Sequence, residues 1–116
     1  MMRTAPPPHQ PTPIQPGDEP IVVHADPVLK RLLPIFLARR RQDLTLIDQD
    51  LERDDFSALE QLGHNLKGTG RSYRFDGISE IGAALEQASQ RRDATEIRRQ
   101  ATELADYLRR VRLAPA

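Results

Sequence analysis

The chain has 116 residues, 17 basic and 17 acidic side chains, no formal net charge and no cysteine. That length allows one domain at most. The missing cysteines exclude disulfides, thiolate metal sites and a cysteine nucleophile, and the balanced charge lacks the basic footprint of a nucleic-acid binder.

Eight of the ten prolines fall in residues 1–27. "APPPHQPTPIQPGDEP" has no apolar periodicity and little to bury, so residues 1–24 are expected to form an extended or disordered tail. The domain is expected over residues 25–114, where Pro34 is the only proline after Pro27 and no alternating strand pattern occurs. Asp26-Pro27 is a helix start, with Asp as cap and Pro in the first turn. A short helix through "VLKRLL" follows, and Pro34 should kink it or begin a new helix. Phe36, Leu44, Ile47 and Leu51 then form one stripe of a long helix ending near "ERDD". Asp55 caps the next helix, where Phe56, Leu59, Gly63, Leu66 and Gly70 share a face. "YRFDG" is a break. Ile78, Ile81, Gly82, Leu85 and Ala88 line the following helix, which "RRD" ends. Asp93 with Glu96 resembles a capping box for a last helix carrying Ile97, Ala101, Leu104, Leu108 and Val111. The reading is all-α: an antiparallel up-down four-helix bundle with a short additional N-terminal helix.

Gly63 and Gly82 lie on apolar stripes, where small residues allow close helix approach. His64 differs. A helix turns about 100° per residue, so with Leu59, Gly63 and Leu66 facing inward, Glu60, His64, Lys67 and Arg71 form a neighbouring, outer stripe. Gly68 sits on the same outer side. A neutral imidazole is a competent nucleophile near pH 7. Lys67 is placed to neutralise an added phosphoryl charge, and Gly68 leaves steric room for the group and for a docking protein. Together these residues describe a phosphoryl acceptor on an open helix face.

The stretch "GHNLKGTGRSYRFDGISEIGAALEQA" closely resembles the histidine-containing phosphotransfer (HPt) domains of bacterial two-component phosphorelays. The similarity extends from "VVHADPVLKRLLPIFLARRR" to "ELADYLRRV", about residues 22–112. It implies a helical bundle with the histidine exposed on a central helix. It also implies that His64 is the phosphorylated histidine and that Lys67 and Gly68 match the family's following lysine and glycine. One departure stands out. Relatives commonly read Tyr-Gly-Phe where this chain has Tyr73-Arg74-Phe75. Arg74 is either directed into solvent or reaches the phosphoryl group or the partner's acidic pocket; with Arg71 it is a possible accessory residue.

The resemblance implies a stoichiometric carrier that relays a phosphoryl group between receiver-domain aspartates through phosphohistidine. Its partners would be the receiver domains of hybrid histidine kinases and response regulators. No cofactor of its own is expected, Mg²⁺ belonging to the partner receiver. "KGTGRS" is not a nucleotide-binding loop, because no strand precedes it, so ATP-dependent self-phosphorylation is not expected. His9, His24 and His64 are too scattered for a metal site. The runs "ARRRQ" at 38–42 and "RRQ" at 98–100 read as solvated faces. No apolar run approaches the roughly 20 residues of a membrane span, and "MMRTAPPPHQ" is no signal peptide; a cytoplasmic monomer is expected. The competing reading is a helical module that docks on or sequesters receiver domains without carrying phosphate.

Overall fold

The computed structural model describes residues 19–24 and 27–114. Its elements are β1 (Ile21–Val23), α1 (Pro27–Lys30), α2 (Leu33–Glu52), α3 (Phe56–Ser72), α4 (Asp76–Gln90), α5 (Ala94–Arg110) and β2 (Val111–Leu113). The four long helices form a ring. α2 packs on α3, α3 on α4, α4 on α5, and α5 closes against α2.

Pro34 opens a new helix rather than kinking an old one. It occupies the first turn of α2, where its missing N–H costs nothing. Asp55 and Asp93 cap α3 and α5 by accepting from the N–H groups of Ala58 and Glu96, each at 3.1 Å. The capping box at α5 is only half formed, because the Glu96 carboxylate turns to Arg99 and Gln100 instead. The expected cap at Asp26 lies outside the described residues, as do residues 1–18 of the expected tail.

Two expectations are corrected. Residues 21–23, assigned to the tail, form a strand that pairs in parallel with β2, Ile21 opposite Val111 and Val23 opposite Leu113. Val111, assigned to the last helix, has an extended backbone, φ −65° and ψ 135°. Three β-branched residues, Ile21, Val22 and Val23, suit a strand but are too few to display alternation. Val111 is buried and continues the apolar spacing of α5, so the pattern runs past the end of the helix.

The three connections between the long helices share one geometry. The residue in the left-handed region is Asp54 (φ 51°), Arg74 (φ 62°) or Arg92 (φ 55°). In each, the next N–H returns to the carbonyl five residues back: Asp55 to Asp50, Phe75 to Gly70, and Asp93 to Ala88, at 2.7–2.9 Å. This is the hydrogen-bonded helix stop in which glycine is usual, because a Cβ there is strained. A glycine at the position of Arg74 would therefore have a backbone reason. Arg74→Gly is expected to raise the unfolding free energy by about 1 kcal/mol, read from the denaturant midpoint at unchanged slope.

Leu33, Ile47, Leu59, Leu66, Ile78, Leu85, Ile97 and Leu104 are fully buried inside the ring. Phe75, in the break between α3 and α4, plugs one end of it. Phe75 is fully buried and stacks on Phe36 at 5.2 Å, while Tyr73 stacks on the same ring at 4.4 Å. The arginine run at 38–42 is not uniformly solvated. Arg40 pairs with buried Asp43 at 2.8 Å, donates to Thr69 Oγ1 at 3.1 Å and lies over the Phe36 ring. It thereby ties α2 to α3. Burial raises the Asp43 carboxyl above its ordinary range, outweighing the Arg40 charge beside it.

Candidate functional site

The α3–α4 seam is built from small residues. A Cβ placed on Gly63 would meet the Glu86 nitrogen at 2.5 Å, and one on Gly82 the Lys67 nitrogen at 2.4 Å. A Cβ on Gly70 would meet the Ser79 nitrogen at 2.5 Å, and the Ser79 hydroxyl itself donates to the Lys67 carbonyl at 2.9 Å. The two helices thus approach backbone to backbone over about two turns. Glycine here is a steric requirement, and it sets how far a side chain on α4 reaches across α3.

His64 follows Gly63, and its side chain is 62% exposed. Because Gly63 lies against the Glu86 backbone, the Glu86 carboxylate arrives beside the imidazole. Its Oε2 is 2.8 Å from His64 Nδ1, and its Oε1 is 3.4 Å from Lys67 Nζ. The Glu86 carboxyl is held below its ordinary range, first by the hydrogen bond to His64 and then by Lys67, against the opposing effect of burial. An ionised carboxylate can only accept, so Nδ1 carries the proton. In the neutral imidazole the lone pair is then on Nε2, which has no protein partner among the described residues. The ring opens into a shallow depression lined by Ser57, Glu60, Gln61 and Glu86. A fixed tautomer with an exposed, unpaired nitrogen is the form of histidine suited to nucleophilic attack.

Lys67 is one turn along α3 from His64 and 39% exposed. Gly68 lies on the outer face, and a Cβ built on it would have nothing within 4 Å. Packing therefore does not require glycine at this position, in contrast to Gly63, Gly70 and Gly82. Gly68→Ala is expected to stabilise the fold by about 1 kcal/mol through helix propensity, measured by thermal denaturation. Arg71 is exposed two turns past His64. Arg74 lies past the end of α3, ten residues on from His64, at the left-handed position of the turn. "KGTGRS" lies inside α3 and offers no phosphate loop.

Sequence reasoning missed Glu86, which reads as one of many solvated carboxylates. Its signal was available: Gly82 stands one turn before Glu86, and Gly63 one residue before His64. Two glycines that face each other place their following side chains together.

Among the described residues, no group of three or more His, Asp or Glu side chains is arranged to hold a metal ion, and no helix is long and apolar enough to cross a membrane. In a scan against protein-family models, residues 31–114 match the model described as Hpt domain. Neither the comparison with curated proteins nor that with solved structures returns a significant match.

Proposed function

The chain belongs to the Hpt domain family, whose members are phosphotransfer carriers of two-component systems and interact with receiver domains; from that premise we propose that His64 is its relay residue. The observation that carries this reading is the pairing of His64 Nδ1 with Glu86, which leaves Nε2 exposed with its lone pair.

In the proposed step, the Nε2 lone pair attacks the phosphorus of a receiver's aspartyl phosphate in line. The P–O bond to the aspartate breaks, and the electron pair leaves with the restored carboxylate. Because Nδ1 keeps its proton, the ring becomes cationic as the N–P bond forms. The ionised Glu86 carboxylate stabilises that charge and holds the ring orientation, as the buried carboxylate does in hydrolase triads. Lys67 neutralises the incoming phosphoryl oxygens, and Gly68 leaves room for the docked receiver. Arg71 and Arg74 serve partner contact rather than the reacting group. The chain holds no cofactor on this reading; the receiver contributes its own Mg²⁺. The reverse sequence delivers the phosphoryl group to a second receiver. The protein acts as a cytoplasmic monomer without autokinase activity. We infer that its four long helices run antiparallel, up and down, since each of the connections 53–55, 73–75 and 91–93 has three residues and returns the chain onto its neighbour.

The test is incubation with a receiver domain labelled on its aspartate. Label that moves to this chain and is acid-labile and alkali-stable supports the relay. A chain that binds the receiver and protects its label without accepting it would instead be a sequestering module.

Glu86 is a positioning residue for this step. Glu86→Ala is expected to slow phosphoryl acceptance roughly tenfold, with Glu86→Gln intermediate because it still accepts from Nδ1. The label should remain on His64 in both. The sign with pH follows from the lowered carboxyl. The pairing is complete above the ordinary carboxylate range and is lost as pH falls through the depressed value. The stability that the pairing contributes should therefore be lost only below that range, a step absent from the pH dependence of the Glu86→Ala denaturation midpoint.

A further inference from the structure

α2 and α5 meet on the edge of the ring opposite the α3–α4 seam that carries His64. Two depressions run along this edge, and they are continuous because both are lined by Leu44 and Ala105. The groove stays open because α5 presents Ala101, Thr102 and Ala105 opposite Leu37 and Leu44. Its floor is completed by Leu108 and Val111, and it extends from Arg98 to Arg112, about 20 Å at the rise of a helix.

The rim is cationic. Arg41 on α2 and Arg98 on α5 are exposed, and neither makes an ion pair among the described residues. Among the described residues, the Arg112 guanidinium donates only to the carbonyls of Arg109 and Val111. The other arginines of α5 are paired: Arg99 with Glu96, and both Arg109, which lines the same groove, and Arg110 with Asp106. Among the described residues, Asp48 is the only carboxylate lining the groove. In a chain with no net charge, this is a local excess of cations around an apolar floor.

We propose that this groove docks an acidic amphipathic helix of a partner protein. The helix lays its apolar stripe on Leu37, Leu44 and Ala105, and its carboxylates pair with Arg41, Arg98 and Arg112. A groove between two helices accepts a third by the same ridge packing that builds the bundle. A second copy of the chain is a poorer occupant. The acidic run from Asp48 to Asp55 breaks across the α2–α3 connection, and α4, the helix without basic residues, spends its apolar stripe on the core. Because the groove and His64 lie on opposite edges, the docked helix and a receiver bind together. The proposal does not depend on phosphoryl transfer.

The experiment uses the full chain and a fluorescent synthetic helix of roughly 15 residues, with leucines at three- and four-residue spacing and glutamates between them. Saturable one-to-one binding is expected, weakening with salt, with amide shifts confined to α2, α5 and β2. Arg41→Glu combined with Arg98→Glu should weaken it at least about tenfold. Arg31→Glu combined with Arg39→Glu, the same charge change on other exposed positions, should leave it within about twofold. All four side chains are exposed, so unchanged circular dichroism is expected for both variants. Equal loss in the two double variants overturns the proposal, as does the absence of saturable binding. Self-association of the chain that the groove variant abolishes also overturns it, in favour of a second copy as occupant.

Discussion

His64→Gln is expected to abolish acid-labile labelling by a phosphorylated receiver, with a fall in acceptance rate on the order of 10³-fold or more. The size follows from chemistry. Glutamine has no nitrogen lone pair to attack phosphorus, and no other histidine shares the helix face: among the described residues only His24 remains, next to β1. Stability should change little. The His64 side chain is 62% exposed, and exposed substitutions usually stay within about 0.5 kcal/mol. Glutamine can also still donate to Glu86, so α3 and α4 keep their contact. The expected pattern is therefore a wild-type melting curve and circular dichroism, retained receiver binding and no transferred label. Lys67→Ala gives the graded comparison. It removes a charge but leaves the nucleophile, so it should slow transfer while the label still appears. Label of wild-type intensity on His64→Gln would sink the assignment, because the phosphoryl group would then reside elsewhere.

The elements were legible where the pattern was long. Leu44 to Leu51, Leu59 to Gly70, Ile78 to Ala88 and Ile97 to Leu108 repeat apolar residues at three and four, and each lies in a helix. Asp55 and Asp93 were legible as caps because a cap is a local hydrogen bond. The strand pair was not, since it is a contact between chain ends about 90 residues apart and its three-residue strands leave no periodic trace. Arg40 shows a subtler limit. It stands inside a basic run that reads as solvated, yet Phe36, Arg40, Asp43 and Ile47 follow core spacing along α2. The stripe rather than the charge marked it as inward-facing. The candidate site divides the same way. His64, Lys67 and Gly68 are neighbours on one helix, so their common face follows from 100° per residue. Glu86 comes from another helix, and its reach depends on the distance between α3 and α4. That distance is tertiary, but the glycines that set it are in the sequence.

Gly82→Ala is expected to produce the largest loss of stability among single methyl additions here. The new carbon would lie 2.4 Å from the Lys67 nitrogen, 2.7 Å from the Gly63 oxygen and 2.8 Å from the Leu66 carbonyl carbon. All three are backbone atoms, so no side-chain rotation relieves the contact, and α3 must shift away from α4. Overpacking of this kind costs about 1–3 kcal/mol, offset by up to about 1 kcal/mol of helix propensity. A net loss of roughly 2 kcal/mol lowers the melting temperature by about 10 °C in a domain of this size. The same displacement acts on the chemistry. Glu86 is one turn beyond Gly82, so moving α4 outward lengthens its bond to His64 Nδ1, and transfer should slow toward the Glu86→Ala rate. Gly63→Ala meets the Glu86 nitrogen at 2.5 Å and the Gly82 oxygen at 2.8 Å, so it demands the same separation of the same pair. Once one methyl has opened the seam, the second costs less. The double variant should therefore be destabilised by less than the sum of the singles, an interaction that a double-mutant cycle reads directly. Gly68→Ala, one residue past Lys67 on the same helix, should move stability the other way because its Cβ points into open space. If Gly82→Ala melted with wild type and transferred at the wild-type rate, the tight glycine seam would not be what holds Glu86 against His64.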